Sequence, residues 1–354
     1  MNQNGFEQSK AEAFAERMVG VLNEGALALM TSIGHRTGLF DTMAKIPPAT
    51  SGQIAAAAGL QERYVREWLA ALVTAQVVEY DAEHETYRLP PEHAAFLTRA
   101  AGADNIAVYA QHIGGLAGVE DHIVDAFRNG GGVPYSEFPR FHEIMAEDSG
   151  LTVVSALQEH ILPLAPGLTD ALQRGIDVLD LGCGRGRALL ALAEAFPHSR
   201  FTGYDFSEEA IAVAQEEAAR KELGNVRFVV KDAATVNETD AYDLICTFDA
   251  IHDQAYPAVV LRNIRRALRP NGLYLMQDIA GSTHLTNNLD HPFAPFLYTI
   301  STMHCMAVSL AQGGAGLGTM WGEELAREML ADAGFTSVEV KQLAHDPMNN
   351  FFIC

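Results

Sequence analysis

The chain has 354 residues, of which 48% are hydrophobic and 19% charged, a composition with material for two domains and a sizeable core. Its formal net charge of -21 argues against DNA, tRNA and anionic membrane surfaces, whose recognition concentrates Lys and Arg, and favours a small organic partner. No stretch approaches the roughly 20 uninterrupted apolar residues of a membrane span, and the start MNQNGFEQSKAEAF lacks the basic and apolar regions of a secretory leader. The four cysteines, Cys183, Cys246, Cys305 and Cys354, form no CxxC pair, so a cytoplasmic protein without disulfides or a metal site is expected.

Residues 1–100 are rich in alanine and carry helical patterns. Gly25 to Phe40 repeats apolar residues at helical spacing (Leu27, Met30, Ile33, Leu39). Ser51 is placed to cap a short helix over Gln53–Ala58, and Glu62–Ala75 forms a longer one through Val65, Leu69 and Leu72. Val77–Tyr80 and Thr86–Leu89 alternate as strands about the polar turn Asp81–Glu85. Helix, turn, helix and hairpin in this order is a winged helix-turn-helix layout. Between Ser51 and Arg99, however, the basic residues Arg63, Arg66, Arg88 and Arg99 are outnumbered by Glu62, Glu67, Glu79, Asp81, Glu83, Glu85 and Glu92. A groove-reading module is basic; dimerisation or a lid over substrate suits this one better.

Residues 101–175 read as a helical linker, broken at Gly130–Pro134 and Leu162-Pro163, that could supply apolar walls to a pocket. From Ile176 the texture changes to alternating strands and helices, the pattern of an α/β sheet. Strands are expected near Asp177–Leu181, Arg200–Asp205, Val226–Lys231, Tyr242–Thr247, Leu273–Asp278, Val338–Leu343 and Asn350–Cys354, the last antiparallel to its neighbour. Helices fit over Arg187–Phe196, Glu208–Leu223 and Pro257–Leu268.

The first of these strands runs into the turn Asp180-Leu181-Gly182-Cys183-Gly184-Arg185-Gly186. Glycines at a strand-to-helix turn let backbone and ligand approach closely, but alone they fit dinucleotide enzymes too. Here they alternate, where a dinucleotide fingerprint would read GxGxxG. The second strand ends in Asp205-Phe206, an acid able to accept hydrogen bonds from ribose hydroxyls, which also suits NAD. Asp232-Ala233 ends the third strand and Phe248-Asp249 the fourth. Ligands of open α/β sheets lie at the carboxyl ends of strands, where all four turns lie.

With these residues in order, 176–354 resembles the class I S-adenosylmethionine-dependent methyltransferases: DLGCGRG their first motif, GYDFS the second, KDA the third, TFDAIHD the fourth, with ALRPNGLYLMQD and LADAGF following. The resemblance implies a Rossmann-like, mostly parallel sheet and S-adenosyl-L-methionine as cofactor. The turn containing Cys183 would hold the cofactor, Gly182 and Gly184 facing its amino-acid part, and Asp205 would hold the ribose. Phe206 would flank adenine, Asp232 and Ala233 would meet the adenine edge, and Phe248 would lie near the methyl donor. Asp180 would orient either the glycine turn or the cofactor ammonium.

Plant-type small-molecule O-methyltransferases are similar at His252-Asp253, although Gln254 replaces the tryptophan of their HDW motif. They too carry an N-terminal winged-helix dimerisation domain. By that resemblance His252 would be the general base and Asp278 the carboxylate that orients it; a histidine that only packs over the cofactor is the alternative. Histidine, with an unperturbed pKa of about 6.5, suits proton removal near neutral pH. The insertion 281–322 reads as a cap. Its aromatic and methionine side chains, with Tyr109, His112 and Phe141, would line an apolar substrate pocket. His291, His304 and Cys305 match no familiar metal-site spacing. The expectation is a homodimeric enzyme methylating a small hydrophobic or aromatic acceptor at oxygen. N- or C-methylation by proximity alone, or a cofactor-sensing regulator binding DNA through its winged helix, are the alternatives.

Overall fold

The computed structural model describes residues 6–354; the first five residues of the segment read above for a leader lie outside them. The chain divides into two compact units, the first ending at Gly114 and the second running from Gly115 to Cys354.

In the first unit a single helix, Gln8–Thr37, replaces the shorter one expected from Gly25. It stops where Gly38 turns left-handed (φ 71°) and its N–H reaches the carbonyls of Gly34 and His35, a glycine end that few other residues adopt cheaply. The next long break is closed by Thr50, not Ser51. Thr50 and Gln53 form a reciprocal capping box at the start of Ser51–Ala58, which satisfies two backbone donors at once. Helix Glu62–Thr74 follows, then the hairpin β1 (Glu79–Asp81) and β2 (Thr86–Arg88), with Ala49 bridged to Tyr87 as a third short strand. Phe40, Ile54, Leu69 and Leu72 are wholly buried. Trp68 packs edge-on against Phe40, ring centroids 5.3 Å apart, and donates its indole N–H to Met30 O at 2.8 Å. This is the winged helix-turn-helix arrangement.

The second unit is built on a seven-stranded sheet of β3 (Asp177–Leu181), β4 (Arg200–Asp205), β5 (Val226–Val230), β6 (Tyr242–Phe248), β7 (Leu268–Ile279), β8 (Glu339–Leu343) and β9 (Asp346–Ile353), in the order β5-β4-β3-β6-β7-β9-β8. The first five strands are parallel, and β9 is antiparallel to both β7 and β8. Alternate side chains point to opposite faces, and the sequence uses both. Val178, Leu244 and Leu275 join one core with the helices Leu168–Arg174, Arg187–Ala195 and Glu208–Arg220. Leu179, Ile245 and Tyr274 join the other with Pro257–Ala267 and Gly322–Asp332. Such apolar strands, covered on both faces, make a doubly wound α/β sheet. Strand order reverses between β3 and β6, so a ligand crevice is expected at their carboxyl ends.

The part of 101–175 that falls in this unit does not stand apart as a linker. Val153, Leu157 and Ile161 are buried in the same core as Val178 and Leu244, because their apolar faces have the sheet's helices to pack against. Within the insertion, Ala294–Ala311 forms an 18-residue helical run with the length and apolarity of a minimal membrane span, 44% of it buried inside the unit. Ala307 and Val308 pack with Leu116, Ile123 and Val133, which makes it a core helix here.

Candidate functional site

The turn after β3 owes its shape to its glycines. Gly182 has φ 75°, and a Cβ there would lie 2.7 Å from the Ala250 methyl; Gly186 has φ 69°, and its Cβ would run into the Phe228 ring. No side chain fits either place. The turn is tied to the next strand by Asp205, whose Oδ2 accepts the Gly184 N–H at 2.9 Å while Oδ1 accepts that of Ser207 at 2.8 Å. Ser207 in turn caps the helix Glu208–Arg220.

A cavity opens over this turn. Asp180, Gly182, Cys183, Gly184, Asp205, Phe206 and Phe248 all line it, so seven of the nine expected cofactor residues share one wall. Asp232 and Ala233 do not. Asp232 is exposed and accepts the Ala234 N–H at 2.8 Å, capping a short turn after β5, while Ala233 is buried in the core of one sheet face. Phe141, expected as a wall residue, does line the cavity. Asp249, Asp253 and Tyr135 line it too. The sequence motif around His252 assigns no role to Asp249 or Asp253, and nothing in the pattern around Tyr135 marks it for the site.

Two wall carboxylates are poised for a cation. Asp180 Oδ1 and Asp249 Oδ1 are buried with no hydrogen-bond partner among the described residues. Burial, with the nearby Asp205 charge, pushes the Asp180 carboxyl up to about 8. Burial, then Asp278, holds Asp249 well above the usual carboxylate range. Asp249 also sits at φ 48°, a left-handed conformation uncommon outside glycine that tends to be kept at functional sites. A buried, unpartnered acid costs free energy until a positive ligand group meets it. S-adenosylmethionine carries two such groups, an ammonium and a sulfonium, so this donor set fits it, and the glycine turn leaves room for close approach.

Asp180 titration gives a stability test. Its folded pKa lies above the unfolded value, so the protonated form stabilises the fold below about pH 4, and this contribution is lost as pH rises towards about 8. Ligand-free protein is therefore expected to lose urea stability between pH 5 and 8. Asp180→Asn should flatten the curve by up to about 1.4 kcal/mol per pH unit. Parallel curves for the two proteins would rule out Asp180 as the source.

Beside the cavity lies a chain of buried polar groups. His252 Nδ1 is 2.7 Å from Asp278 Oδ1, and His252 Nε2 is 3.3 Å from Asp253 Oδ1. Asp278 Oδ1 also accepts the indole N–H of Trp321 and the N–H of Ile279, both at 2.9 Å. Burial alone would lower the His252 pKa, but the Asp278 and Asp253 carboxylates outweigh it and hold the imidazole well above its ordinary value. His252 thus sits between two acids that favour its protonated form. It is 3% exposed and stands behind the cavity, whereas Asp253 faces it. Asp253 Oδ2 accepts the Tyr135 hydroxyl at 2.8 Å.

Comparison with known proteins agrees with this geometry. Residues 25–99 match the family model described as an Rv2258c-like winged HTH domain, and residues 172–334 match one described as a methyltransferase domain. A malonyl-[acyl-carrier protein] O-methyltransferase from Bacillus cereus is 30% identical over 158 residues, covering 44% of this chain and 52% of that protein. The chain spans about half or less of the length of such curated relatives, 38% for the (S)-coclaurine N-methyltransferase of Thalictrum flavum subsp. glaucum, which is 27% identical over 37% of this chain. Among solved structures, human N-acetylserotonin methyltransferase in complex with S-adenosylmethionine aligns over 99% of this chain and 98% of its own at a TM-score of 0.68 and 18% identity, a likeness of fold. Residues 172–334 thus belong to the class I, S-adenosylmethionine-dependent methyltransferase domains, and residues 25–99 to the winged helix-turn-helix domains that accompany them in this chain.

Proposed function

We propose that this protein transfers the methyl group of S-adenosylmethionine to an oxygen of a small, hydrophobic or aromatic acceptor. The cofactor supplies a methyl already activated on sulfur, so the protein's share is alignment, exclusion of water and removal of the acceptor's proton. Asp180, Gly182, Cys183, Gly184, Asp205, Phe206 and Phe248 would hold the cofactor along the cavity wall, with Asp232 and Ala233 at its outer end. The observation that carries the choice of oxygen is the Asp278–His252–Asp253 chain abutting the cavity. A nitrogen or carbon acceptor able to react by proximity needs no such proton-handling cluster. In this cluster His252 lies between Asp278 and Asp253, so a proton taken from the acceptor can be handled within it. The O-methyltransferase named among the relatives supports the same choice. The test is transfer of labelled methyl to panels of phenols and amines. Labelling of amines with no phenol labelled would overturn the oxygen assignment.

A cytoplasmic homodimer belongs to the same proposal. On the helix Gln8–Thr37, Phe14, Met18 and Leu22 lie one turn apart and are 59%, 40% and 71% exposed, followed by the exposed Leu29 and Ile33. An apolar stripe at this spacing suits a second copy of the same helix. Phe14→Asp with Leu22→Asp is expected to halve the mass seen in sedimentation while leaving helical content intact. An unchanged mass would exclude this stripe as the dimer seam.

A further inference from the structure

The hydroxyl of Tyr135 has a feature that packing does not explain. It is a phenol O–H, donating at 2.8 Å to the carboxylate that faces the cavity. Its ring is surrounded by Phe206, His304 and Phe141, with centroids 5.0, 5.2 and 5.5 Å away, and Phe141 stacks on His304 at 3.9 Å. Burial and the Asp253 charge hold the Tyr135 hydroxyl well above its ordinary pKa, so it stays un-ionised. The protein thus holds one of its own aryl alcohols, in an aromatic-lined seat, against an acid on the cofactor cavity.

We propose that this seat is the acceptor site: an aromatic hydroxyl exchanges with Tyr135 on Asp253 Oδ2 and gives its proton to Asp253. The inference rests on the oxygen-methylation reading and narrows it to aryl alcohols. Two observations favour Asp253 over its neighbour as the group that meets the acceptor. Asp253 lines the cavity. His252 is 3% exposed behind it. His252 is then the positioning residue: its Nε2 lies 3.3 Å from Asp253 Oδ1, and its Nδ1 is held by Asp278, whose Oδ1 accepts the Trp321 indole N–H.

Exchange requires Tyr135 to leave, and its surroundings allow that. The backbone before it is pinned, because Val133 N–H donates to Ala307 O at 3.1 Å. Gly132 packs against the same carbonyl so closely that no Cβ fits. Rotation about the Tyr135 side-chain bonds would free Asp253 without moving that anchor. In the transfer, the acceptor O–H bond breaks and the Asp253 O–H bond forms. The acceptor oxygen uses the electron pair so released to bond to the methyl carbon. The S–CH3 bond breaks, its electron pair remains on sulfur, and the proton leaves Asp253 for solvent after product release.

The experiment uses the full chain saturated with S-adenosylhomocysteine and three probes, phenol, catechol and 1-naphthol, in calorimetric titrations. Tyr135→Phe keeps the ring and removes the competing hydroxyl. It is expected to bind at least one probe about threefold or more tighter than the wild type, since a hydrogen bond of about 1 kcal/mol no longer has to be displaced. Asp253→Asn is expected to lower kcat for labelled-methyl transfer to that probe by about 10²-fold or more, with S-adenosylhomocysteine affinity unchanged within about twofold and an intact thermal transition. Unchanged or weaker probe binding by Tyr135→Phe would make Tyr135 an ordinary wall residue and overturn the proposal. Near-wild-type turnover by Asp253→Asn would overturn it also. If no probe binds or is methylated while labelled methyl passes to benzylamine, the aryl-alcohol seat falls and the methyltransferase reading stands. Failure of wild-type protein to bind S-adenosylhomocysteine would instead remove that reading itself.

Discussion

His252→Gln is expected to lower kcat for methyl transfer by about 10²–10⁴-fold, the usual span for loss of positioned acid–base groups, with little change in cofactor affinity. The imidazole lies 2.7 Å from Asp278 and 3.3 Å from Asp253, and among the described contacts it alone bridges these two buried acids. Without it both carboxylates stay in low dielectric with their repulsion uncompensated, at a cost of about 3–5 kcal/mol for a broken buried pair. Glutamine is chosen because it can still donate to one acid, so loss of rate can be separated from loss of fold. Stability carries a pH signature as well. A histidine raised in the folded state stabilises fully below its unfolded pKa of about 6.5, and that contribution disappears as pH rises through its higher folded value. Wild-type protein should therefore lose stability on the alkaline side, and His252→Gln should lose less over the same range. Trp321→Phe, which removes one of the two N–H donors fixing Asp278 beside His252, should fall between the two in rate. Stopped-time labelling assays and urea titrations across pH check both parts. A variant with wild-type kcat would leave His252 with packing alone.

The parts of this site that could be read from sequence are those whose geometry is local. A strand, a glycine turn and a helix follow one another within Asp177–Ala195, and each later acid ends a strand that hydrophobic periodicity marks out. That sufficed to name Asp205, Phe206 and Phe248 and to place them on one wall. The antiparallel last strand was legible for the same reason. Two residues were not legible because they reach the site from far along the chain. Tyr135 meets Asp253 across 118 residues, and Trp321 meets Asp278 across 43; nothing in the pattern around either announces such a partner. The left-handed backbone of Asp249 was hidden as well, since an aspartate after a strand is ordinary in sequence and only its φ of 48° distinguishes it. The long first helix was underestimated because the apolar stripe of Gln8–Gly25, Phe14, Met18 and Leu22, packs against nothing in the chain's own core. Its residues are exposed almost throughout, and the helix there rests on intrinsic propensity.

Asp205→Ala is expected to weaken S-adenosylhomocysteine binding by about 10²-fold or more. The carboxylate has two tasks that fail together. It fixes the turn by accepting the Gly184 and Ser207 N–H groups at 2.9 and 2.8 Å, and it lines the cavity, where the cofactor ribose would donate to it. Hydrogen bonds to a charged acceptor contribute about 1.5–3 kcal/mol each, and a factor of ten in affinity is about 1.4 kcal/mol. Losing two such bonds therefore reaches the stated effect. Asp205→Asn separates the tasks. An amide keeps one acceptor oxygen but turns an NH2 toward one of the backbone N–H donors, so the turn loses one anchor and binding should weaken by about tenfold or more. Serine at the same place is too short to reach either donor and should resemble alanine. Calorimetric titration of the three variants measures the ladder directly. Affinities within about threefold of wild type for alanine would show that Asp205 belongs to the scaffold of the turn and that the ribose is held elsewhere. The graded loss, with asparagine between wild type and alanine, is the result expected of a carboxylate that holds the glycine turn and the cofactor at once.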